Sequence, residues 1–578
     1  MKFADALKVN RADAPAGARP LPIALVCGCT PNTLQIFLTA HLRTLCPDRL
    51  PTVATGLYGD CLGSLDRLRA APLDGFAVVL EWADLDPRLG IRQAGGWSPG
   101  ALADLLASVD AQAARFQAAL LRAAEHAPVT LCLPTLPLPP VAYTPGWMFS
   151  DFEAQLHLRL CSLASQLSGR PNIRLVNPQR LDYLSPLTDR LDVKGDLLSG
   201  FPYRTPHASV VAELLASLLR LATPKKGIIT DLDDTLWRGL LGEVGADGVS
   251  WDLDRHSHVH ALYQQLLQSL AESGVLLAVA SKNDSARVEE ALGRQDILVS
   301  RERVFPLEAH WGPKSESVAR ILRAWNVGAD AVVFVDDSPL ELAEVQAAHP
   351  GVEAILFPKD QDQAVYDLLG RLRDLFGKTA VREEDHLRLE SLRRAAEATQ
   401  AHEPGTDRDE FLQGVEADLV VFTDQAAADP RALELVNKTN QFNLNGRRFT
   451  EREWETYLRR PQSFLYIVAY KDKFGPLGKI AVIAGRREGA TLFVDAWVMS
   501  CRAFSRRIEY KCVELLFERH PVEEIAFDFQ PTGRNEPCQE FFAALLGNPP
   551  ESAPLIPRAR FTAHCPPLYH HVEVVTHG

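Results

Sequence analysis

Short apolar runs, each closed by polar or turn-forming residues, recur along the first two thirds of the chain. LPIALVCG (Leu21–Gly28), FAVVLEW (Phe76–Trp82) and VTLCLPT (Val129–Thr135) are strand-like and are separated by helical stretches. That alternation predicts an α/β fold with a parallel sheet over about residues 20–222. The proline-rich LPTLPLPPVAYTP (Leu133–Pro145) must be a loop. After the helical ASVVAELLASLLRLA, the sequence TPKKG (Thr223–Gly227) breaks the pattern and sets a first boundary, so residues 1–222 form one expected domain. Strand and helix alternate again over 223–377. Residues 378–410 are charged and poor in β-branched residues, which predicts a linker helix. In 411–578 the strand-like runs ADLVVFTD, SFLYIVAYKD, KIAVIAGRRE and ATLFVDAWVMS follow one another with short turns, which predicts antiparallel pairing and an α+β domain.

The middle segment carries the clearest chemistry. GIIT (Gly227–Thr230) reads as a buried strand, and three carboxylates, Asp231, Asp233 and Asp234, follow within four positions. Two further apolar runs end in polar residues: VLLAVA leads into Ser281-Lys282-Asn283, and AVVFV into Asp336-Asp337-Ser338. In an open parallel sheet these ends share the edge at which ligands bind. WGPKSE adds Lys314 at the start of a helix. Clustered carboxylates repel unless a hard divalent cation sits among them, and an all-oxygen donor set favours Mg²⁺. Ser281 and Lys314 can hold phosphate oxygens, and a carboxylate can then attack phosphorus. An acidic turn or a calcium loop is the structural alternative, but the sixth position lacks the glycine of an EF-hand loop.

Those four motifs, in this order, resemble the haloacid dehalogenase (HAD) superfamily. The resemblance implies Asp231 as nucleophile, Asp233 as general acid/base, Ser281 and Lys314 as phosphate ligands, and Asp336 as main Mg²⁺ ligand assisted by Asp337. Asp233 would add its backbone carbonyl to the metal. Only about 45 residues separate Thr235 from Ser281, too few for a large inserted lid. DLDDTLWRGLLGE, SKND and FVDDSPLE, with LVNKTNQFNLNGRRF (Leu435–Phe449) and VMSCRAFSRRIEY (Val498–Tyr510), resemble more narrowly the FkbH-like branch of that superfamily. The branch implies removal of phosphate from 1,3-bisphosphoglycerate and delivery of a glyceryl unit to the phosphopantetheine thiol of an acyl carrier protein in polyketide biosynthesis.

The outer segments resemble other families. The third is similar to GNAT-type acyltransferases in its strand-rich start and in FDFQPTGRNEPCQEFFAALLG (Phe527–Gly547). Where those enzymes carry a Gly-rich pyrophosphate loop, this chain reads CRAFSRRIEY, a departure from ordinary CoA binding. Cys501 there, beside Arg502, Arg506 and Arg507, is a candidate carrier of a transient glyceryl thioester, because nearby cations favour the thiolate. It is equally well a small buried residue. The arginines read either as contacts to an acidic carrier protein or as a solvated helix face. Asn437, Asn440, Asn443 and Asn445 could bind a polyol or pantetheine amides, or could be turn residues. In the first segment GCTPNT (Gly28–Thr33) follows a strand as the nucleophile does in SGNH-like hydrolases. Here Cys29 takes the serine position, and Pro206-His207 could offer a base. No Asp-x-x-His pair appears, so a degenerate docking domain is the expectation.

Composition adds limits. With 578 residues, 46% of them hydrophobic and 23% charged, several ordinary globular domains are expected. No apolar run approaches the ~20 residues of a membrane span, and the first residues lack a signal-peptide core. Ten cysteines without paired metal-type spacing suit a reducing, cytoplasmic compartment, and a net charge of -13 argues against nucleic-acid binding. Neither a nucleic-acid nor a membrane partner is expected. The expected fold class is thus α/β multidomain: an SGNH-like domain (1–222), a HAD-like Rossmannoid domain (223–377), a linker helix (378–410) and a GNAT-like α+β domain (411–578). The alternatives are a HAD-type phosphatase acting on another phosphorylated acyl or sugar substrate, and a non-catalytic carrier-protein scaffold.

Overall fold

The computed structural model describes every residue except 14, 16, 95, 96, 171, 382–384, 391, 394–407, 424–428, 440, 474, 501, 502, 505, 534, 549, 551, 552, 577 and 578. The chain divides into two compact units, residues 1–222 with 450–453, and residues 223–449 with 454–578.

In the first unit β1 (Arg19–Cys27), β2 (Arg49–Thr55), β3 (Gly75–Val79), β4 (Val129–Cys132) and β5 (Ile173–Leu175) form a wholly parallel sheet in the order β2-β1-β3-β4-β5. The period-2 alternation of a strand divides β1 between two cores. Leu21, Ile23 and Leu25 pack with Phe37, Val211 and Leu215 on one face, while Ala24 and Val26 pack with Phe116, Leu120 and Leu156 on the other. Helices therefore cover both faces, as a parallel sheet requires.

The second unit contains two sheets. β6 (Gly227–Thr230), β7 (Leu276–Ser281), β8 (Val304–Ala309), β9 (Val332–Asp336) and β10 (Glu353–Leu356) are parallel in the order β10-β9-β6-β7-β8. β6 is central, with Ile228 facing the core of Tyr263, Leu267 and Leu372 and Ile229 facing that of Val318, Ile321 and Trp325. The second sheet comprises β11 (Asp418–Thr423), β12 (Phe442–Asn443), β13 (Ser463–Asp472), β14 (Gly475–Glu488), β15 (Thr491–Met499), β16 (Glu524–Phe527), β17 (Leu555–Pro557) and β18 (His571–Thr576). Its central β13, β14 and β15 pair antiparallel, as their short connections require. The four strands read from the sequence, β11, β13, β14 and β15, thus pair antiparallel with one another as expected, and the sheet adds a parallel pair at each flank, β15 with β16 and β11 with β18. Parallel pairs need long crossovers, and the intervening helix Ile508–Arg519 supplies one for β16.

The chain is thus a multidomain α/β protein with two parallel sheets and one mixed sheet. Within the expected linker helix, 385–390 is helical, and much of the rest lies outside the described residues. Among the described residues no helix is long and apolar enough to cross a membrane.

The strand that leads to the acidic cluster has a tight neighbour. A Cβ added at Gly227 would lie 2.4 Å from the Trp325 ring, which is fully buried and donates Nε1–H to the Phe305 carbonyl at 2.6 Å. Gly227→Ala is expected to destabilise the protein by about 1–3 kcal/mol through overpacking, read as a lower thermal midpoint; an unchanged midpoint would show that Trp325 can move.

Candidate active site

The carboxyl ends of β6, β7 and β9 bring Asp231, Ser281 and Asp336 to one edge, and the helix Lys314–Trp325 starts beside them. Lys314 is the first helical residue after Pro313. An ammonium there opposes the helix dipole, so it needs anions close by. They are present: Lys314 Nζ lies 2.9 Å from Asp231 Oδ1, 2.6 Å from Asp336 Oδ2 and 3.5 Å from Glu341 Oε2. All but Glu341 are buried. Burial pushes the Asp231 carboxyl up to about 7 against the pull of Lys314. Burial also opposes charge on Lys314, but Asp231 and Asp336 outweigh it and hold the ammonium above its ordinary range.

A second tier of contacts fixes the loop. Asp336 Oδ1 accepts from the Ser338 N–H at 2.8 Å. Asp233 Oδ1 accepts from Trp237 Nε1 at 2.9 Å and from the Leu241 N–H at 3.1 Å, and its Oδ2 accepts from Asn283 Nδ2 at 3.1 Å. The same Asn283 amide donates to Ser281 Oγ at 3.1 Å, linking an expected acid/base to an expected phosphate ligand. Asp234 has φ +53°, a conformation unusual for a residue with a side chain. Its two oxygens are occupied by the Gly239 N–H at 2.9 Å and Lys359 Nζ at 2.7 Å. Lys359 also donates to Asp337 Oδ2 at 2.8 Å.

The chemistry of the donor set suits a hard cation. Asp231, Asp336 and Asp337 each offer one oxygen, all within 4.8 Å of one another. Asp231 Oδ1 is buried without a well-aligned hydrogen bond despite the nearby ammonium, which leaves an acceptor for an ion. These three residues would hold Mg²⁺. The Asp233 carboxylate is not part of that cluster. Trp237, Glu341, Asn283 and Lys359 complete the site without having been singled out from sequence. Trp237 and Asn283 stand inside the motifs, whereas Lys359 follows β10 with no local signal.

The other expected residues are dispersed. Cys501, Arg502 and Asn440 lie outside the described residues. Arg506 pairs with Asp472 at 3.3 Å and lies over the Tyr470 ring, and Arg507 pairs with Asp409 at 2.5 Å. Contact with a carrier protein through these two would require exchange of existing partners. Asn437 clamps both backbone groups of Phe449, at 2.8 and 2.9 Å. Asn443 Oδ1 accepts from the Asn445 and Gly446 N–H groups, and Asn445 donates to the Asp495 carbonyl. All three side chains are thus engaged with backbone groups of their own chain. His207 is buried with Nε2 on Thr135 Oγ1 and Nδ1 on Ser185 Oγ, both at 2.9 Å, and burial lowers it to about 3. With both nitrogens occupied it offers Cys29 no base. The Cys29 thiol is itself held well above its ordinary range by Cys27, by burial and by the charges of Asp84 and Glu81.

No family model and no curated protein matches the chain. Among solved structures it is similar to the N-terminal part of the protein BF1531 from Bacteroides fragilis, containing a phosphatase domain complexed with Mg. The TM-score is 0.52 at 18% identity, over 66% of this chain and 100% of that one, which shows a shared fold. An uncharacterized protein from Corynebacterium glutamicum aligns with 27% of this chain and 98% of its own at 22% identity and a TM-score of 0.19. The salicylyl-acyltransferase SsfX3 from a tetracycline biosynthetic pathway aligns with 36% and 54% at 13% identity and a TM-score of 0.20. Neither of the last two bears on the fold of the whole chain.

Removing one partner of a buried ionic cluster costs more than the cluster contributes, because the remaining charges stay desolvated. Lys314→Met in metal-free buffer is expected to cost about 3–5 kcal/mol, measured by chemical denaturation. Added Mg²⁺ should restore part of that loss; equal stability of variant and wild type without metal would contradict the clamp.

Proposed function

We propose that the chain is a Mg²⁺-dependent phosphoryl-transfer enzyme of the HAD type. Its proposed role is loading a glyceryl unit from 1,3-bisphosphoglycerate onto the phosphopantetheine thiol of an acyl carrier protein. The observation that carries the phosphoryl half is the Lys314 ammonium set between Asp231 and Asp336, with Asp337 completing a three-oxygen cluster. The glyceryl half rests on the motif resemblance to the FkbH-like branch.

The substrate's two phosphates need different chemistry. The C3 ester is inert: an Asp231 oxygen attacks its phosphorus, the P–O bond to the substrate breaks, and the leaving alkoxide takes a proton from Asp233. Water then attacks phosphorus of the aspartyl-phosphate, releasing phosphate and returning a proton to Asp233. Lys314 and Ser281 hold the phosphoryl oxygens throughout, and Asp231, Asp336 and Asp337 would hold Mg²⁺, which when bound would supply positive charge against the phosphoryl oxygens. Asp233 receives N–H groups from Trp237, Leu241 and Asn283. The C1 acyl phosphate is already activated: a thiol attacks the carbonyl carbon and phosphate leaves, with Cys501 as the proposed intermediate acceptor before the carrier thiol.

Release of phosphate from p-nitrophenyl phosphate tests the first half. Asp231→Asn is expected to abolish Mg²⁺-dependent release, because the amide neither attacks phosphorus nor carries the metal's counter-charge; undiminished turnover would remove Asp231 from the mechanism. Intact-protein mass spectrometry with 1,3-bisphosphoglycerate tests the second. Wild type should gain a hydroxylamine-labile glyceryl group and pass it to carrier protein, and Cys501→Ser should lose loading while keeping phosphoester cleavage. Normal loading by Cys501→Ser would mean direct transfer to the carrier thiol or use of another cysteine.

A further inference from the structure

A large cavity lies in the first unit, lined by none of the phosphate-site residues. It is a cleft of about 880 Å³ at the carboxyl edge of the β2-β1-β3-β4-β5 sheet, where the loops after β1 and β3 diverge to opposite sides. Parallel sheets bind ligands at such switch points. Its walls are largely apolar, with Trp82, Leu85, Leu89 and Phe116 among them, and its volume suits a small molecule.

Four carboxylates line the cleft; Asp60 accepts from the Gly63 N–H at 2.8 Å and Asp196 pairs with Arg92 at 3.8 Å, and of the two that follow β3, Glu81 and Asp84, only one has acceptor capacity to spare. Glu81 receives the Thr135 and Leu136 N–H groups, the Thr135 hydroxyl and the Tyr203 hydroxyl, which satisfies both oxygens. Asp84 Oδ2 receives the Glu81 N–H at 2.8 Å, but Oδ1 has only the Cys61 thiol, a weak donor, at 3.6 Å. Asp84 Oδ1 lies so close to the chain that a Cβ at Gly28 would fall 1.7 Å from it, so the glycine makes room for the carboxylate. Walled in on the protein side yet open to the cleft, the group is pushed up by burial to about 6, which leaves it largely ionised at neutral pH. The cations of the cleft are engaged elsewhere. Arg92 lies over the Tyr58 ring and donates to the Asp196 carbonyl, and Arg115 donates to Gln112. Catalysis by Cys29 is disfavoured by the same anions and by the occupied His207, so the cleft is suited to binding rather than to covalent chemistry.

We propose that this cleft binds a small molecule with an apolar body and a protonated amine, the amine seated on Asp84 Oδ1. The charge pairing selects against anionic head groups. The site is separate from the phosphoryl-transfer reading and does not depend on it.

Calorimetric titration of the full chain with hexylamine and with hexanoate, in excess Mg²⁺ so that the acidic cluster of the middle sheet does not compete, tests the proposal. Hexylamine should bind saturably and hexanoate at least about tenfold more weakly. Asp84→Asn keeps the shape of the side chain and should weaken hexylamine by about tenfold or more. Ala111→Trp, at an exposed helix position in the wall, should block the cleft, while Asp231→Asn should leave binding unchanged. Equal binding of the two probes, no saturable hexylamine binding by wild type, or hexylamine affinity unchanged in both Asp84→Asn and Ala111→Trp would each overturn it.

Discussion

A single buried ammonium makes the acidic edge of the middle sheet possible. Asp231 and Asp336 end adjacent parallel strands, and without a cation their buried carboxylates would repel and rise in pKa until one lost its charge. Lys314 sits between them at 2.9 and 2.6 Å and is delivered by a helix start, a position that electrostatics alone would not choose for a lysine. The rest of the site follows from that placement. The parallel order puts β6 and β9 side by side, their pairing continues to Asp231 N–H on the Val335 carbonyl, and the two acids emerge together.

Around the clamp, each remaining acid has its own holder. Lys359 ties Asp234 to Asp337 across the mouth, and Trp237 with Asn283 fixes Asp233. Such division keeps five aspartates in a small volume without leaving them to compete for one cation. It also leaves Asp231 Oδ1 short of a hydrogen bond, the local frustration that a divalent ion would relieve. Among the described residues nothing comparable supports the acyl-transfer half, and Cys501 and Arg502 lie outside them. Arg506 and Arg507 are engaged with carboxylates of their own chain, and Asn437, Asn443 and Asn445 bond to backbone groups.

Much of this edge was legible in the sequence because strand, strand end and charged residue are contiguous there. GIIT followed by DLDD, AVA by SKN, and VFV by DDS each place chemistry one step beyond an apolar run. Long hydrophobic strands such as β13 were legible for the same reason, but β2, β5 and β18 were not. RLPTVAT and the three-residue IRL are short or polar, and β18 is specified by pairing with β11, some 150 residues away in the chain. Lys359 was invisible because its partners come from two other strand ends. His207 was misleading: a histidine at a helix start reads as a possible base, yet Thr135 and Ser185, distant in sequence, occupy both nitrogens. Asp84 drew no attention as one acid in EWADLD, since its meaning depends on the cleft around it.

The account stands on Asp231 as the group that takes the phosphoryl. Acid-quenched turnover with Mg²⁺, followed by peptide mapping of the trapped phosphoryl group by mass spectrometry, addresses that directly. The label should fall on the peptide containing Asp231, should be removed by hydroxylamine as an acyl phosphate is, and should be absent when Mg²⁺ is chelated. A label on another residue, or sustained turnover with water attacking substrate and no phosphoryl enzyme at any quench time, would contradict it.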